Sequence, residues 1–304
     1  MDTTLGGKVV VITGAGNGIG REFSLAMAQA GAKVVVNDLG TSPKGEGVDA
    51  GPAQAVAEEI RQLGGMAVAN TDSVAQWPSA NRIVECAMDN FGRIDVLVNN
   101  AGFLRDRFFF NMSIEEWQGV IDVHLNGTFY CSRAVAPIFR GQNGGSYINM
   151  TSTAGMIGNY GQANYSAAKA GIIALSKSMA LDLNKYGVRS NCISPFAWSR
   201  LIGGIPTDTP DQVERVERMK IMESSKIAPL AVYLASDASM DVTGQIFTVR
   251  ANEIFLMSQS RPLRSVHDAR GWTAESIAAH AIPALRRNFY PLDRSQDVFD
   301  WDPI

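Results

Sequence analysis

The chain is poor in the residues that build metal centres and disulfide frameworks. Of its 304 residues only three are cysteine and three are histidine. Cys86, Cys131 and Cys192 are odd in number, far apart and set in apolar helix or strand contexts, which predicts reduced, buried thiols and a cytoplasmic location. His124, His267 and His280 show no metal-ligand spacing, so no metal is expected. An excess of one charge is also lacking. Lys and Arg number 27 against 30 Asp and Glu, a net charge of −3, and no basic cluster stands out. Nucleic acid and anionic membrane are therefore excluded as expected partners. No apolar run approaches a membrane span, and no secretory apolar segment precedes the first strand-like run. Repeats are absent, and no linker interrupts the first 250 residues. The length suits one large α/β domain with a substantial core.

What the chain does have is alternation. Lys8–Thr13, Lys33–Asn37, Met66–Asn70, Arg93–Val98, Ser146–Met150 and Val188–Ile193 read as short buried strands, and Gln245–Val249 as the last. Between them lie amphipathic stretches at Glu22–Ala30, Ala53–Leu63 and Ser79–Phe91. Ser113–Arg140 follows as one helix or two, then Ala163–Lys185. This pattern predicts a single-domain Rossmann fold, a doubly wound parallel sheet of about seven strands with helices on both faces. Ligands of such sheets sit beyond the carboxyl ends of the strands. The polar residues of interest fall at those ends.

The first strand runs directly into Gly14-Ala-Gly-Asn-Gly-Ile-Gly20, and a helix candidate follows. Strand, glycine-rich turn, then helix is the context in which backbone N–H groups hold a dinucleotide pyrophosphate. The spacing is G-x-x-x-G-x-G, not the general G-x-G-x-x-G. Gly14, Gly16, Asn17, Gly18, Ile19 and Gly20 are the candidate diphosphate contacts. Asp38 ends the second strand, where a carboxylate accepts from the adenosine ribose hydroxyls and repels a 2′-phosphate. NAD is therefore favoured over NADP as cofactor.

Tyr165 and Lys169 stand four residues apart in Asn164-Tyr-Ser-Ala-Ala-Lys-Ala170, so they share one face of a helix, with Ser152 thirteen residues upstream of the tyrosine. A free phenol has a pKa of about 10, and bringing it to about 7 takes roughly 4 kcal/mol. A close ammonium supplies part of this and a nicotinamide cation more. Such a tyrosine can exchange a proton with an alcohol oxygen that Ser152 also binds. By itself the Tyr-x-x-x-Lys spacing is common and fits a solvated helix face; the glycine loop gives it meaning.

Together these residues resemble the short-chain dehydrogenases/reductases, from about residue 8 to about residue 250. Thr13–Gly20 is similar to the family's cofactor motif, Asp72 to its adenine-contacting acid, and Asn99-Asn-Ala-Gly102 to its sheet-stabilising motif. Ser152, Tyr165 and Lys169 match its catalytic serine, tyrosine and lysine. The resemblance implies cofactor contacts from Ser73, Asn100, Ala101, Gly102, Tyr165, Lys169 and Pro195 as well. Val36-Asn-Asp-Leu-Gly40, Gly65–Asn70, Gly102–Arg107 and Gly158–Tyr165 resemble the (3R)-hydroxyacyl-CoA dehydrogenase branch, found in peroxisomal multifunctional enzymes of type 2. The implied activity is NAD-dependent interconversion of a 3-hydroxyacyl-CoA and its 3-oxo form by a free-standing homodimer or homotetramer. A hydroxysteroid dehydrogenase acting on free steroids is the alternative. Further off are a non-catalytic nucleotide-binding homologue and an epimerase or dehydratase.

Three departures from the family pattern stand out. Val123-His-Leu-Asn-Gly127 places His124 where the family has a proton-relaying asparagine; it is either a relay or a packed helix residue. Pro195-Phe196 replaces proline-glycine, so Phe196, Trp198 and Arg200 are expected to line the nicotinamide and substrate side. Arg250-Ala-Asn-Glu253 replaces a glycine pair. Residues 202–209 have the composition of a mobile loop and lead into a charged helix over 211–222. Arg105, Arg107 and Arg200 are candidate contacts for CoA phosphates. Phe108, Phe109 and Phe110 are expected as core or interface filling. Residues 1–254 are read as the dehydrogenase domain and 255–304 as an extension packing at a subunit interface. Within it, 272–288 is a helix candidate that Pro283 should kink or break.

Overall fold

A computed structural model describes residues 4–42, 44–198, 209, 213, 214, 217 and 219–304. Arg200, most of the loop expected at 202–209, and residues 211, 212, 215, 216 and 218 of the helix expected at 211–222 lie outside the described residues.

Seven parallel strands form the sheet: β1 (Val9–Thr13), β2 (Lys33–Asn37), β3 (Met66–Asn70), β4 (Val96–Asn99), β5 (Gly145–Met150), β6 (Val188–Phe196) and β7 (Ile246–Arg250). An eighth, β8 (Glu253–Leu256), pairs antiparallel with β7, and the order is β3-β2-β1-β4-β5-β6-β7-β8. Side chains alternate across the sheet. Val10 and Ile12 pack against α1 (Gly18–Gln29), α2 (Gly51–Gln62) and α7 (Ala228–Ala235) through Phe23, Val56, Ile60 and Leu234. Val9 and Val11 face the other way, onto α3 (Trp77–Phe91) and α5 (Gly127–Gln142) through Ile83, Val135 and Phe139. Both faces of these strands are covered, which explains runs such as Val9-Val-Val-Ile12 without polar alternation.

The sheet order reverses direction beside β1. The chain leaves β1 towards β2 and β3, then returns to place β4 on the opposite side. This is the switch point where a doubly wound sheet leaves a crevice beyond its strand ends.

The expected single or double helix at 113–140 is broken into α4 (Ile114–Ile121), a π-turn (Asp122–Asn126) and α5. A capping box starts α4: Glu116 N donates to Ser113 Oγ at 3.1 Å and Ser113 N to Glu116 Oε2 at 3.0 Å. The π-turn carries His124. The helix presenting Tyr165 and Lys169 is α6 (Ala163–Leu183).

The eighth strand arises at the Arg250-Ala-Asn-Glu253 departure. Ala251 takes the left-handed φ of 51°, which closes a two-residue turn and folds β8 back on β7. Residue 254 therefore lies inside a strand, not at a break. The stretch after Trp272 stays helical from residue 274 to 288 but is irregular around Pro283: a first turn (Ala274–Ser276), a π-turn (Ile277–Ala281), an α-turn (Ile282–Leu285) and a 3-10 turn (Arg286–Asn288). The chain end then folds onto its own chain. Phe299 is buried and packs edge-on against Phe196 and Phe255, with ring centres 5.0 and 5.4 Å away. Arg250 lies between the rings of Phe196 and Trp301 and donates to Trp301 O. Phe289, Tyr290 and Leu292 remain exposed. Phe108, Phe109 and Phe110 are not core: they are exposed, and Phe108 stacks on Phe110.

Candidate active site

One cavity of about 720 Å³ runs along the carboxyl ends of the strands. Gly14, Asn17, Gly18 and Ile19 line it after β1, Asp38 after β2, and Asp72 and Ser73 after β3. Asn100, Ala101 and Gly102 follow β4, His124 comes from the π-turn, Tyr165 and Lys169 from α6, and Pro195 from β6. Gly16, Gly20 and Ser152 do not line the cavity. A smaller cavity of about 380 Å³ lies at the opposite strand ends beside Lys8, Arg93 and Arg189. Its Lys8 is paired with Asp237 and its Arg93 with Asp95.

The glycine loop is held in an open shape by neighbours that leave no room for side chains. Gly14 has φ +63°, and a Cβ there would lie 2.7 Å from Ala101 Cα. Gly20 supports it from below, since its Cβ would meet Gly14 O at 2.1 Å. Gly16 is buried beside Pro52, and its N–H donates to Asp38 Oδ2 at 2.7 Å. The other Asp38 oxygen accepts from Gly40 N at 2.7 Å, so one carboxylate fixes the glycine loop and the start of the next loop. Asn100 Nδ2 donates to Thr13 O and Gly14 O, while Thr13 Oγ1 accepts from Asn100 N and Ala101 N. This stitches the ends of β1 and β4 together at the switch point.

Asp72 is less free than a bare adenine contact. Its Oδ1 accepts from Arg82 Nε at 2.6 Å and its Oδ2 from Asn70 Nδ2 at 2.9 Å. Asn99 donates to Ser132 Oγ and Asn149 Oδ1, so it ties β4 to β5 and α5.

At the far end of the cavity the structure brings Ser152, Tyr165 and Lys169 together. Ser152 lies close enough to the Tyr165 phenol to favour its charged form, and its Oγ accepts from Ala154 N at 3.2 Å. Lys169 Nζ lies 5.5 Å from the Tyr165 ring centre and donates to Met150 O at 2.6 Å. Asn164, fully buried, fixes the start of α6 by donating to Arg105 O and Glu116 O, both at 3.0 Å. Its Oδ1 accepts from Tyr165 N at 2.7 Å.

The electrostatics differ from the sequence expectation of an acidified phenol. Burial, with the nearby Asp106 charge, outweighs the effect of the Ser152 hydroxyl and pushes Tyr165 up to about 12. Burial likewise brings Lys169 down to about 7. Protein groups alone therefore leave the phenol neutral, and the lysine without its full charge at neutral pH. Taking both groups out of water costs each its charged form, and four residues of helix do not offset that.

His124 is buried, with its ring edge-on to Tyr165 at 5.3 Å. Its Nε2 lies 2.8 Å from Phe103 O and 3.1 Å from Phe103 N, while Nδ1 has no partner among the described residues. Burial, then the Lys169 charge, brings it down to about 3, so the ring is neutral. Packing against Tyr165 and an unpartnered buried nitrogen are thus combined in one residue.

The substrate-side expectations divide. Ala197 lines the cavity, but Phe196 turns onto Phe299 and Arg250, and Trp198 N donates to Met222 O at 2.6 Å. Arg107 is paired with Glu116 at 3.0 Å and Arg105 donates to the carbonyls of Lys44 and Glu115. Sequence reasoning gave no role to Thr13 or Asn164 as staples, and it offered Arg105 to CoA phosphates rather than to these backbone carbonyls. Asn164 could have been found, since a polar residue directly before Tyr165 at a helix start is a natural staple. The other two act across long sequence separations that no local pattern announces. Cys86, Cys131 and Cys192 are free thiols, the last two buried.

The fold and the grouping of serine, tyrosine and lysine beside a dinucleotide-sized cavity define a class of oxidoreductase. The comparisons with known proteins agree, since the family described as short chain dehydrogenase matches residues 8–199. The chain is 42% identical over 272 residues to the peroxisomal hydratase-dehydrogenase-epimerase of Saccharomyces cerevisiae, covering 89% of this chain and 29% of that protein. It is 39% identical over 288 residues to hydroxyacyl-CoA dehydrogenase ChsB1 of Mycobacterium tuberculosis, covering 91% of this chain and 88% of that one. A solved 7α-hydroxysteroid dehydrogenase, complexed with NADH and 7-oxo glycochenodeoxycholic acid, superposes with a TM-score of 0.73 at 32% identity. It covers 83% of this chain and 96% of its own. The chain belongs to the short-chain dehydrogenase family of oxidoreductases. It spans under a third of the yeast relative's length.

Proposed function

We propose that the protein is an NAD-dependent dehydrogenase interconverting a 3-hydroxyacyl-CoA and its 3-oxo form. The observation that carries this reading is the meeting of Ser152, Tyr165 and Lys169 at one end of a cavity whose other end is the glycine loop and Asp38. The loop fits a diphosphate because Gly14 and Gly18 line the cavity without side chains. Asp38, Asp72 and Ser73 would hold the adenosine half. Asn100, Ala101, Gly102, Lys169 and Pro195 would hold the nicotinamide half. The Asp38 carboxylate disfavours a 2′-phosphate, which is the ground for NAD over NADP.

When bound, the oxidised nicotinamide would supply the hydride acceptor and a positive ring charge beside the phenol. Ser152 holds the substrate oxygen by hydrogen bonding. Tyr165, once ionised beside the positive ring, would accept the hydroxyl proton in oxidation, and in reduction the phenol would return it. Lys169, anchored on Met150 O, orients the phenol and binds the nicotinamide ribose. His124, neutral and with Nδ1 unpartnered, is proposed as a station for a proton on its way to Lys169.

The substrate class rests on the relatives. ChsB1 carries hydroxyacyl-CoA dehydrogenase in its name and spans nearly the same length as this chain. Free steroids are the second reading, favoured by the solved 7α-hydroxysteroid dehydrogenase. Assembly as a homodimer or homotetramer is proposed, with residues 255–304 at the substrate opening and subunit contact. The cytoplasmic location is proposed from the free thiols; the yeast relative's name places that protein in the peroxisome, and reduced thiols suit either compartment.

The test is a panel of 3-hydroxyacyl-CoAs and hydroxysteroids with NAD and NADP, run on the wild type and on Tyr165→Phe. Thioester oxidation with NAD is expected in the wild type, with turnover lost and NADH binding kept in the variant. Activity on free steroids alone moves the assignment to the second reading, and an active Tyr165→Phe removes the mechanism.

A further inference from the structure

We infer that Arg105 and Gly45 are positioning residues for the cofactor, holding the loop between β2 and α2 as a bridge across the groove. The inference rests on reading that groove as a dinucleotide site, and goes beyond it.

The groove has two rims. On one, Thr41, Ser42 and Gly45 line the cavity from the loop that follows Asp38. On the other, Phe103 and Arg105 line it from the chain that follows β4. The rims touch each other. Arg105 Nε donates to Lys44 O at 3.2 Å, and Arg105 Nη1 donates to Glu115 O at 3.3 Å, at the start of α4. The guanidinium also stacks on Phe103, with Cζ 5.1 Å from the ring centre. Gly45 sits on the same ring. Its φ is +80°, and a Cβ there would lie 2.6 Å from Phe103 Cε1.

The loop is folded rather than slack. Ser42 N donates to Glu46 O at 2.8 Å, Gly45 N to Ser42 O at 2.9 Å, and Asp49 N to Leu39 O at 3.0 Å at its base. Its tip therefore arrives on the far rim as a turn whose seat accepts only glycine. Arg107, two residues beyond Arg105, is spent on the Glu116 carboxylate at 3.0 Å. Both hydrogen bonds of Arg105 go instead to backbone carbonyls of two separate segments, which is the work of a clasp. Two partly exposed bonds to carbonyls are weak enough to break on each exchange of a bound ligand. A molecule lying from Asp38 to Tyr165 is enclosed while the tip is seated, and leaves when it lifts.

The test is stopped-flow release of NADH from the full chain, with affinity from fluorescence titration. Arg105→Ala and Gly45→Ala attack the clasp from its two ends. Each is expected to raise the NADH dissociation rate by about fivefold, the worth of one or two such bonds, with the KM for the alcohol substrate nearly unmoved. Arg105→Lys, which keeps charge but not the fork, is expected to restore only part of the slow release. Wild-type release rates in both folded alanine variants overturn the bridge. An Arg105 effect without a Gly45 effect also overturns it, reassigning Arg105 to a direct charge contact. Hydrogen exchange at Gly45 and Glu46 needs no cofactor and is expected to speed up in Arg105→Ala; no change there counts against the bridge. A wild type that binds neither NADH nor NADPH would instead defeat the dinucleotide reading and leave the exchange result to judge the clasp.

Discussion

The two halves of the sheet are built to different rules. From β1 to β4 the cavity is made by backbone: the glycine loop, the Asp38 bonds to Gly16 N and Gly40 N, and the Thr13–Asn100 stitching. From β5 to β8 it is made by side chains from distant segments. Tyr165 and Lys169 come from α6, His124 from the π-turn before β5, and Pro195 and Ala197 from the end of β6, where the adjoining Phe196 is backed by Phe299 at the chain end. A backbone cradle demands particular residues at adjacent positions, so it leaves a compact trace in the chain. A wall of side chains demands only shape and polarity at scattered positions.

Three substitutions probe that contrast. The largest effect is expected from Gly14→Val. The left-handed φ and the Ala101 backbone at 2.7 Å leave no place for the side chain. Overpacking of this kind costs about 1–3 kcal/mol, and NADH binding should fall at least tenfold with a lowered Tm. Phe299→Ala on the other half should behave oppositely. Its loss of burial against Phe196 and Phe255 should raise substrate KM several-fold and leave NADH affinity alone. Equal loss of both affinities would merge the two halves into one unit. A truncation after residue 258 extends the same test to oligomeric state.

The smallest effect is one of pH. His124 is brought down to about 3 from 6.5, so the unfolded chain takes up a proton below pH 6.5 that the native state refuses. Stability must then fall as pH drops from 6.5 towards 3. Lys169, brought down to about 7 from 10.5, works in a higher window: stability rises with pH between those values. In His124→Asn the drop in Tm between pH 7 and pH 5 should be smaller than in wild type, while the rise above pH 7 stays. An unchanged acid slope would mean that His124 is not the titrating group.

Legibility followed the same division. Strand positions, the glycine loop, Asp38 and the Tyr165–Lys169 pair were readable because each is a local pattern fixed by periodicity or close approach. The eighth strand was not, since it depends on Ala251 accepting φ 51°, a conformation alanine rarely takes. Phe108, Phe109 and Phe110 are not core, and the sequence did not separate that from interface filling because an aromatic run looks the same whether it is buried or exposed. The clasp between Arg105 and Lys44 spans 61 residues, and only folding brings its ends together. The phenol's acidity failed for another reason. Spacing on a helix reports proximity, but the cost of burial is set by everything packed around the pair.

Tyr165 is proposed to exchange the substrate proton, and the chain alone does not acidify it. The direct measurement is the tyrosinate difference spectrum of wild type minus Tyr165→Phe, titrated with and without NAD. No ionisation of this residue is expected below pH 10 in the protein alone, given a value of about 12. With NAD bound, the transition should move by several units towards neutrality. Identical titrations in the two conditions would contradict the account.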